Sequence, residues 1–156
     1  MSKNKLFWIV AITGLILDQI TKYLMLKIFA HYGDPIFIWQ GVFHLTYEEN
    51  NGAAFSIFQN GVHWLKWLSL FVSIGLMVLA IKTPRMTREE QLGYGFILAG
   101  ALGNGVDRFF LGYVIDFLHF SLINFPVFNI ADVCINIGII FLVISLVFTS
   151  SSHQEK

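Results

Sequence analysis

The sequence predicts an all-α membrane protein: a single domain over residues 1–156, built as a four-helix transmembrane bundle with a small extracytoplasmic β-sheet between spans one and two. Three observations carry this. Of the 156 residues, 56% are hydrophobic and only 13% are charged, against roughly 25% charged in a soluble domain; mean hydropathy is +0.67. Four windows, about 6–26, 64–81, 92–111 and 127–148, come close to the roughly 20 mostly apolar residues a helix needs to cross a bilayer. Between the first two windows the apolar period changes from helical to alternating.

Lys3 and Lys5 precede span one, and no small-residue cleavage site follows, so this stretch reads as an uncleaved span. The link that follows has strand character. "IFIW" (36–39), "VFHLTYE" (42–48) and "AAFSIF" (53–58) are separated by turn-formers in "WQG" and "ENNG", which predicts an outer sheet within about 33–62. Pro84 closes span two, and "TREE", Thr87 with Glu90 three residues on, is a capping box that starts span three. Span four runs into a polar tail, "SSSHQEK", expected to fray.

Basic residues orient the bundle. Lys82, Arg85 and Arg88 crowd the link between spans two and three, Lys3 and Lys5 lie before span one, and Lys156 lies after span four; the other two links contain only Lys27. The positive-inside rule then puts both termini in the cytoplasm and the 27–63 and 112–126 links outside.

Composition excludes several functions. Ten basic residues balance ten acidic ones, which leaves no net charge to hold a nucleic acid. Cys134 is the single cysteine, so neither an intramolecular disulfide nor a cysteine metal cluster can form. HExxH and GxSxG are absent, and His31, His44, His63, His119 and His153 are scattered as polar surface groups would be.

Ionisable groups at membrane depth are costly and face the protein interior. In "DQITK", Asp18 and Lys22 stand four apart on one helix face, placed to neutralise each other. "NNGAAF" brings Asn50 and Gly52 to a turn. In "GALGNGVDRF", Asn104, Asp107 and Arg108 share neighbouring helical positions, beside small residues that admit a partner helix. Asn129 and Asp132 in "FNIAD" have a structural reading, an N-cap with an acid in the first turn. Asp116 in "VIDF" has no comparable excuse, because its neighbours are apolar. Two carboxylates in a partly dry place share one proton, and such a pair activates water with one member while the other donates to a carbonyl. A transporter would spread polar groups through the depth of several spans, whereas span two has none that is deeply charged and span four has one near its end.

Taken together, "DQITK", "NNGAAF", "GALGNGVDR", "VIDF" and "FNIAD", in this order and on four spans, resemble the bacterial lipoprotein signal peptidases, or signal peptidase II. The resemblance implies an aspartyl endopeptidase of the inner or plasma membrane. Its substrate would be a prolipoprotein carrying a diacylglyceryl-modified cysteine, cut just before that cysteine near the extracytoplasmic surface. It implies Asp116 and Asp132 as the catalytic dyad, with Asn104 and Asn129 beside it. Asn50, Gly52 and Arg108 would position substrate, and Asp18, Lys22 and Asp107 would be polar supports of the fold. No metal or organic cofactor is expected, and the partners are substrate and membrane lipids, with the chain working as a monomer. Two positions depart from the family pattern: Glu49 stands where a basic residue is common, and Gly105 where a larger apolar residue is usual.

Overall fold

The computed structural model describes residues 4–52, 61–123 and 125–147, and the backbone of 148–153. Its order is α1 (Lys5–Tyr32), β1 (Ile36–Trp39), β2 (Phe43–Asn50), α2 (Val62–Lys82), α3 (Arg88–Phe110), β3 (Val114–Phe120), a 3₁₀ turn (Ser121–Ile123) and α4 (Ile130–His153). Each window expected to span the bilayer lies mostly within one helix. α1 runs six residues past its window, to Tyr32, so Lys27 lies on the helix and not in a link.

α3 is the hub of the bundle and packs against α1, α2 and α4. Its glycines make this possible, because backbones meet where side chains would collide. A Cβ on Gly138 of α4 would stand 2.6 Å from the Gly93 carbonyl oxygen and 2.9 Å from the Ile97 nitrogen. Among the described residues, three helical segments are long and apolar enough to cross a membrane: α1, α2 and Ile130–Val147 of α4. α3 falls short in apolarity, since it carries Arg88, Glu89, Glu90, Asp107 and Arg108 as well as its glycines.

The caps behave as the sequence requires. Thr87 Oγ1 accepts from the Glu90 N–H at 3.1 Å and Glu90 Oε2 accepts from the Thr87 N–H at 2.8 Å, closing the capping box on α3. At the same end of the bundle Asn4 donates to the Ala80 and Thr83 carbonyls, both at 2.9 Å, and accepts from the Met86 N–H at 3.0 Å. One side chain therefore ties the start of α1 to the α2–α3 link.

Among the described residues the sheet includes a strand that the sequence did not reveal. β1 and β2 form the expected hairpin, with order β1-β2-β3 and antiparallel pairing throughout. Its third member, however, is β3, drawn from the link between α3 and α4; the expected strand 53–58 lies outside the described residues. Val114–Phe120 alternates no polar face toward water, which is why its sequence did not read as a half-buried strand: Val114 to Phe117 are all buried. A register shift between Leu45 and Glu48 puts Glu48 opposite Asp116 and Asn50 opposite Val114, and such a bulge re-aims the side chains beyond it. Phe117 packs inward with Phe29 and Ile115. His44 and His119, distant in sequence, meet across β2 and β3 at 2.9 Å.

Gly138→Ala must push backbone apart and is expected to lower stability by about 1–3 kcal/mol. Gly75→Ala meets nothing within 4 Å, so it should leave stability unchanged or raise it slightly. Thermal unfolding of the two purified variants checks the contrast.

Candidate active site

β3 is pinned to the entrance of α4. The Phe117 and Leu118 N–H groups donate to the Phe128 carbonyl at 3.1 and 2.8 Å, and the Phe128 N–H donates back to the Leu118 carbonyl at 3.0 Å. This bridge closes the loop between strand and helix and sets Asn129 directly beside Asp116.

Asn129 caps α4 as its sequence position requires. Its Oδ1 accepts from the Asp132 N–H at 3.0 Å, and Asp132 Oδ2 accepts from the Asn129 N–H at 3.1 Å, a reciprocal box of asparagine and aspartate. The amide nitrogen faces the other way. It donates to Asp116 Oδ1 at 2.6 Å, Asn104 Oδ1 at 2.9 Å and the Ile115 carbonyl at 3.3 Å. Asn129 thereby holds both carboxylates.

Two further asparagines complete the arrangement. Asn50 donates to Asp116 Oδ2 at 2.9 Å, and its Oδ1 accepts from the Gly52 N–H at 2.9 Å. Asn104 donates to Asp132 Oδ1 at 2.8 Å. All four carboxylate oxygens of Asp116 and Asp132 thus accept a hydrogen bond. Beneath them Lys22 Nζ contacts Asp18 Oδ2 at 2.9 Å, Asp107 Oδ2 at 2.7 Å and Asn104 Oδ1 at 3.1 Å. Asp18 Oδ1 accepts from the Ala131 N–H at 2.9 Å, and Asp107 Oδ2 from the Ile115 N–H at 3.2 Å, so the ion pairs also hold α4 and β3. Arg108 donates to the Gly52 carbonyl at 3.2 Å and to Ser69 Oγ at 3.4 Å.

A cleft of about 780 Å³ opens in front, its polar wall formed by Glu48, Asn50, Asn104, Arg108 and Asp132 and much of the rest by apolar side chains such as Phe120, Phe128 and Ile140. Asp132 fronts the cleft. Asp116 is 1% exposed and lies behind Asn50. Burial, reinforced by the charge of Asp132 and partly offset by the amides of Asn50 and Asn129 and by Lys22, pushes Asp116 up to about 7.

A family model described as signal peptidase (SPase) II matches residues 10–148. The chain belongs to the signal peptidase II family. It is 61% identical over 156 residues to the lipoprotein signal peptidase of Gloeothece citriformis, covering 100% of this chain and 98% of that one. To the Microcystis aeruginosa lipoprotein signal peptidase it is 66% identical over 143 residues, 92% of each chain. Its fold is similar to that of a bacterial membrane enzyme solved by the in meso method at 2.3 Å resolution, with a TM-score of 0.82 and 33% identity over 95% of this chain and 91% of that one.

The ten site residues read from the signal peptidase II motifs form one connected network. Sequence reasoning missed four others. Gln19, inside "DQITK", donates to Asp18, Asp107 and the Gly103 carbonyl. Glu48 faces the cleft, whereas Glu49, singled out as a departure, instead accepts from the Tyr47 hydroxyl at 2.8 Å. Asn136 also lines the cleft and lies one turn beyond Asp132, a spacing that could have revealed it. Ser69 explains the second departure: a Cβ on Gly105 would stand 3.2 Å from Ser69 Cβ, where α2 and α3 meet closely.

Because Asp116 titrates higher in the fold than its ordinary 3.8, its stabilising contribution is complete below about pH 4 and is lost as pH rises through about 7. Thermal unfolding of wild type and Asp116→Asn between about pH 5 and pH 8 should show the difference in Tm moving in the variant's favour as pH rises.

Proposed function

We propose that Asp116 and Asp132 are the catalytic pair of an aspartic endopeptidase that removes the signal peptide from diacylglyceryl-modified prolipoproteins, cutting before the lipidated cysteine. The observation that carries this reading is the double hold of Asn129 on the two carboxylates at the wall of an apolar cleft. The membership of the chain in an aspartic peptidase family supports it.

Asp132, facing the cleft, takes a proton from water as the water oxygen attacks the scissile carbonyl carbon. Asp116, pushed up to about 7 and so protonated in part of the molecules at neutral pH, donates its proton to the carbonyl oxygen. The tetrahedral diol then collapses: one hydroxyl proton returns to the pair, the C–N bond breaks, and the amine leaves with a proton from the pair. Asn50 covers Asp116, so its 2.9 Å contact is the one that opens as substrate approaches. The apolar cleft wall suits acyl chains and an apolar signal helix.

The bundle is proposed to span the membrane four times. α3, 23 residues long, extends about 34 Å at 1.5 Å per residue and is shielded by the three more apolar helices. Lys5, Lys82 and Arg88 lie at the helix ends remote from the sheet and the dyad; together with Lys3 and Lys156 they favour cytoplasmic termini and an extracytoplasmic active site. A single chain supplies every residue of the mechanism, and substrate enters laterally from the lipid.

Asp116→Asn and Asp132→Asn should each abolish cleavage of a diacylglyceryl-modified precursor while the protein stays folded and inserted; processing by a folded double variant would refute the dyad. With wild type, the alkaline limb of kcat/KM against pH should fall with an apparent pKa near 7, a value belonging to the coupled pair.

A further inference from the structure

Lys22 has three ammonium protons and three acceptors within reach: Asp18 Oδ2, Asp107 Oδ2 and Asn104 Oδ1. Two of those contacts are ion pairs that neutralise charge inside the bundle. The third is to a neutral amide, and neutralising charge does not require it.

Its consequence lies in what an asparagine side chain can do. An amide presents an acceptor on one side and donors on the other, and turning it over exchanges them. An ammonium donates only, so the atom of Asn104 that faces Lys22 at 3.1 Å has to be Oδ1. Asn129 Nδ2 also donates to that oxygen, at 2.9 Å. With Oδ1 held from two sides, Nδ2 points at Asp132 Oδ1, 2.8 Å away. Reversed, the amide would set its oxygen against a carboxylate oxygen.

We propose that Lys22 is a positioning residue for the dyad, fixing the Asn104 amide so that it donates to Asp132. Lys22 touches neither carboxylate of the pair; besides the charge it lends to the site, its contact with the pair runs through Asn104. The charged groups around this amide are Asp18 and Lys22 from α1, Asp107 and Arg108 from α3, Asp116 from β3 and Asp132 from α4, with Glu48 of β2 on the cleft. Lys22 is the cation among them that holds the amide oxygen. The role rests on the dyad assignment above, and the two are separable: cleavage by Asp116→Asn or Asp132→Asn removes the dyad itself, whereas the variants below remove only the positioning role.

The test is cleavage of a synthetic diacylglyceryl-modified precursor by full-length protein in lipid, comparing Lys22→Met, Asn104→Ala and the double variant. Lys22→Met should lower kcat on the order of 10- to 100-fold with KM within about twofold, the loss expected when a reacting group is held out of place. Loss of the Lys22 charge moves the alkaline limb to higher pH in either background, so the double variant decides: the further loss of kcat on adding Lys22→Met to Asn104→Ala should nearly vanish. A wild-type kcat in Lys22→Met overturns the proposal. So does an equal loss in both backgrounds, which is what a purely structural lysine would give. Should Lys22→Met not accumulate as folded protein, Lys22→Arg decides, because it keeps the charge and changes the donor geometry at Asn104. A loss of kcat that disappears in the Asn104→Ala background supports the role; an unchanged kcat, or an equal loss in both backgrounds, overturns it.

Discussion

Asn129 is wholly buried, and every polar atom it owns is committed at the junction of β3 and α4. Its side-chain oxygen and backbone N–H close the cap on α4, while its amide nitrogen reaches Asp116, Asn104 and the Ile115 carbonyl. The start of a helix and the middle of a strand are thereby fixed relative to each other by one residue. An uncapped α4 would leave N–H groups unsatisfied where Asn129 is wholly buried. The geometry of the carboxylate pair follows from satisfying that requirement.

Buried charge imposes the second constraint. Removing one partner from a buried ion pair is costlier than the pair is stabilising, so Asp18, Lys22 and Asp107 hold or fail together. Each acid in that group carries a second duty: Asp18 takes the Ala131 N–H of α4, and Asp107 takes the Ile115 N–H of β3. Charge neutralisation inside the bundle and alignment of the two elements that carry Asp116 and Asp132 are therefore one arrangement. The glycines of α3 serve the same end, since a Cβ on Gly103 would stand 2.5 Å from Asp18 Oδ2.

The helices were legible because a bilayer demands long apolar runs with few exceptions, and those exceptions named the site. Asp18, Lys22, Asn104, Asp107, Arg108, Asn129 and Asp132 stand out from their surroundings in sequence and lie in one network in space. The cap at Asn129 was legible for a local reason, a spacing of three residues. What could not be read was the partner of β2. Val114–Phe120 is buried on both faces at its start and so lacks the alternation that reveals a strand, and its pairing with Phe43–Asn50 spans more than 60 residues of chain. Glu48 was hidden for a related reason, since a bulge between Leu45 and Glu48 decides which of two adjacent glutamates faces the cleft.

The two aspartates are supported by unlike structures. Asp132 sits in the first turn of a helix, facing the cleft, and accepts a backbone N–H where the helix dipole favours negative charge. Asp116 sits on a buried strand, receives only side-chain amides, and feels Asp132 as a neighbouring charge. Burial and the neighbouring charge of Asp132 push Asp116 up to about 7. The same cap that begins α4 thus also gives the two carboxyls their unlike surroundings.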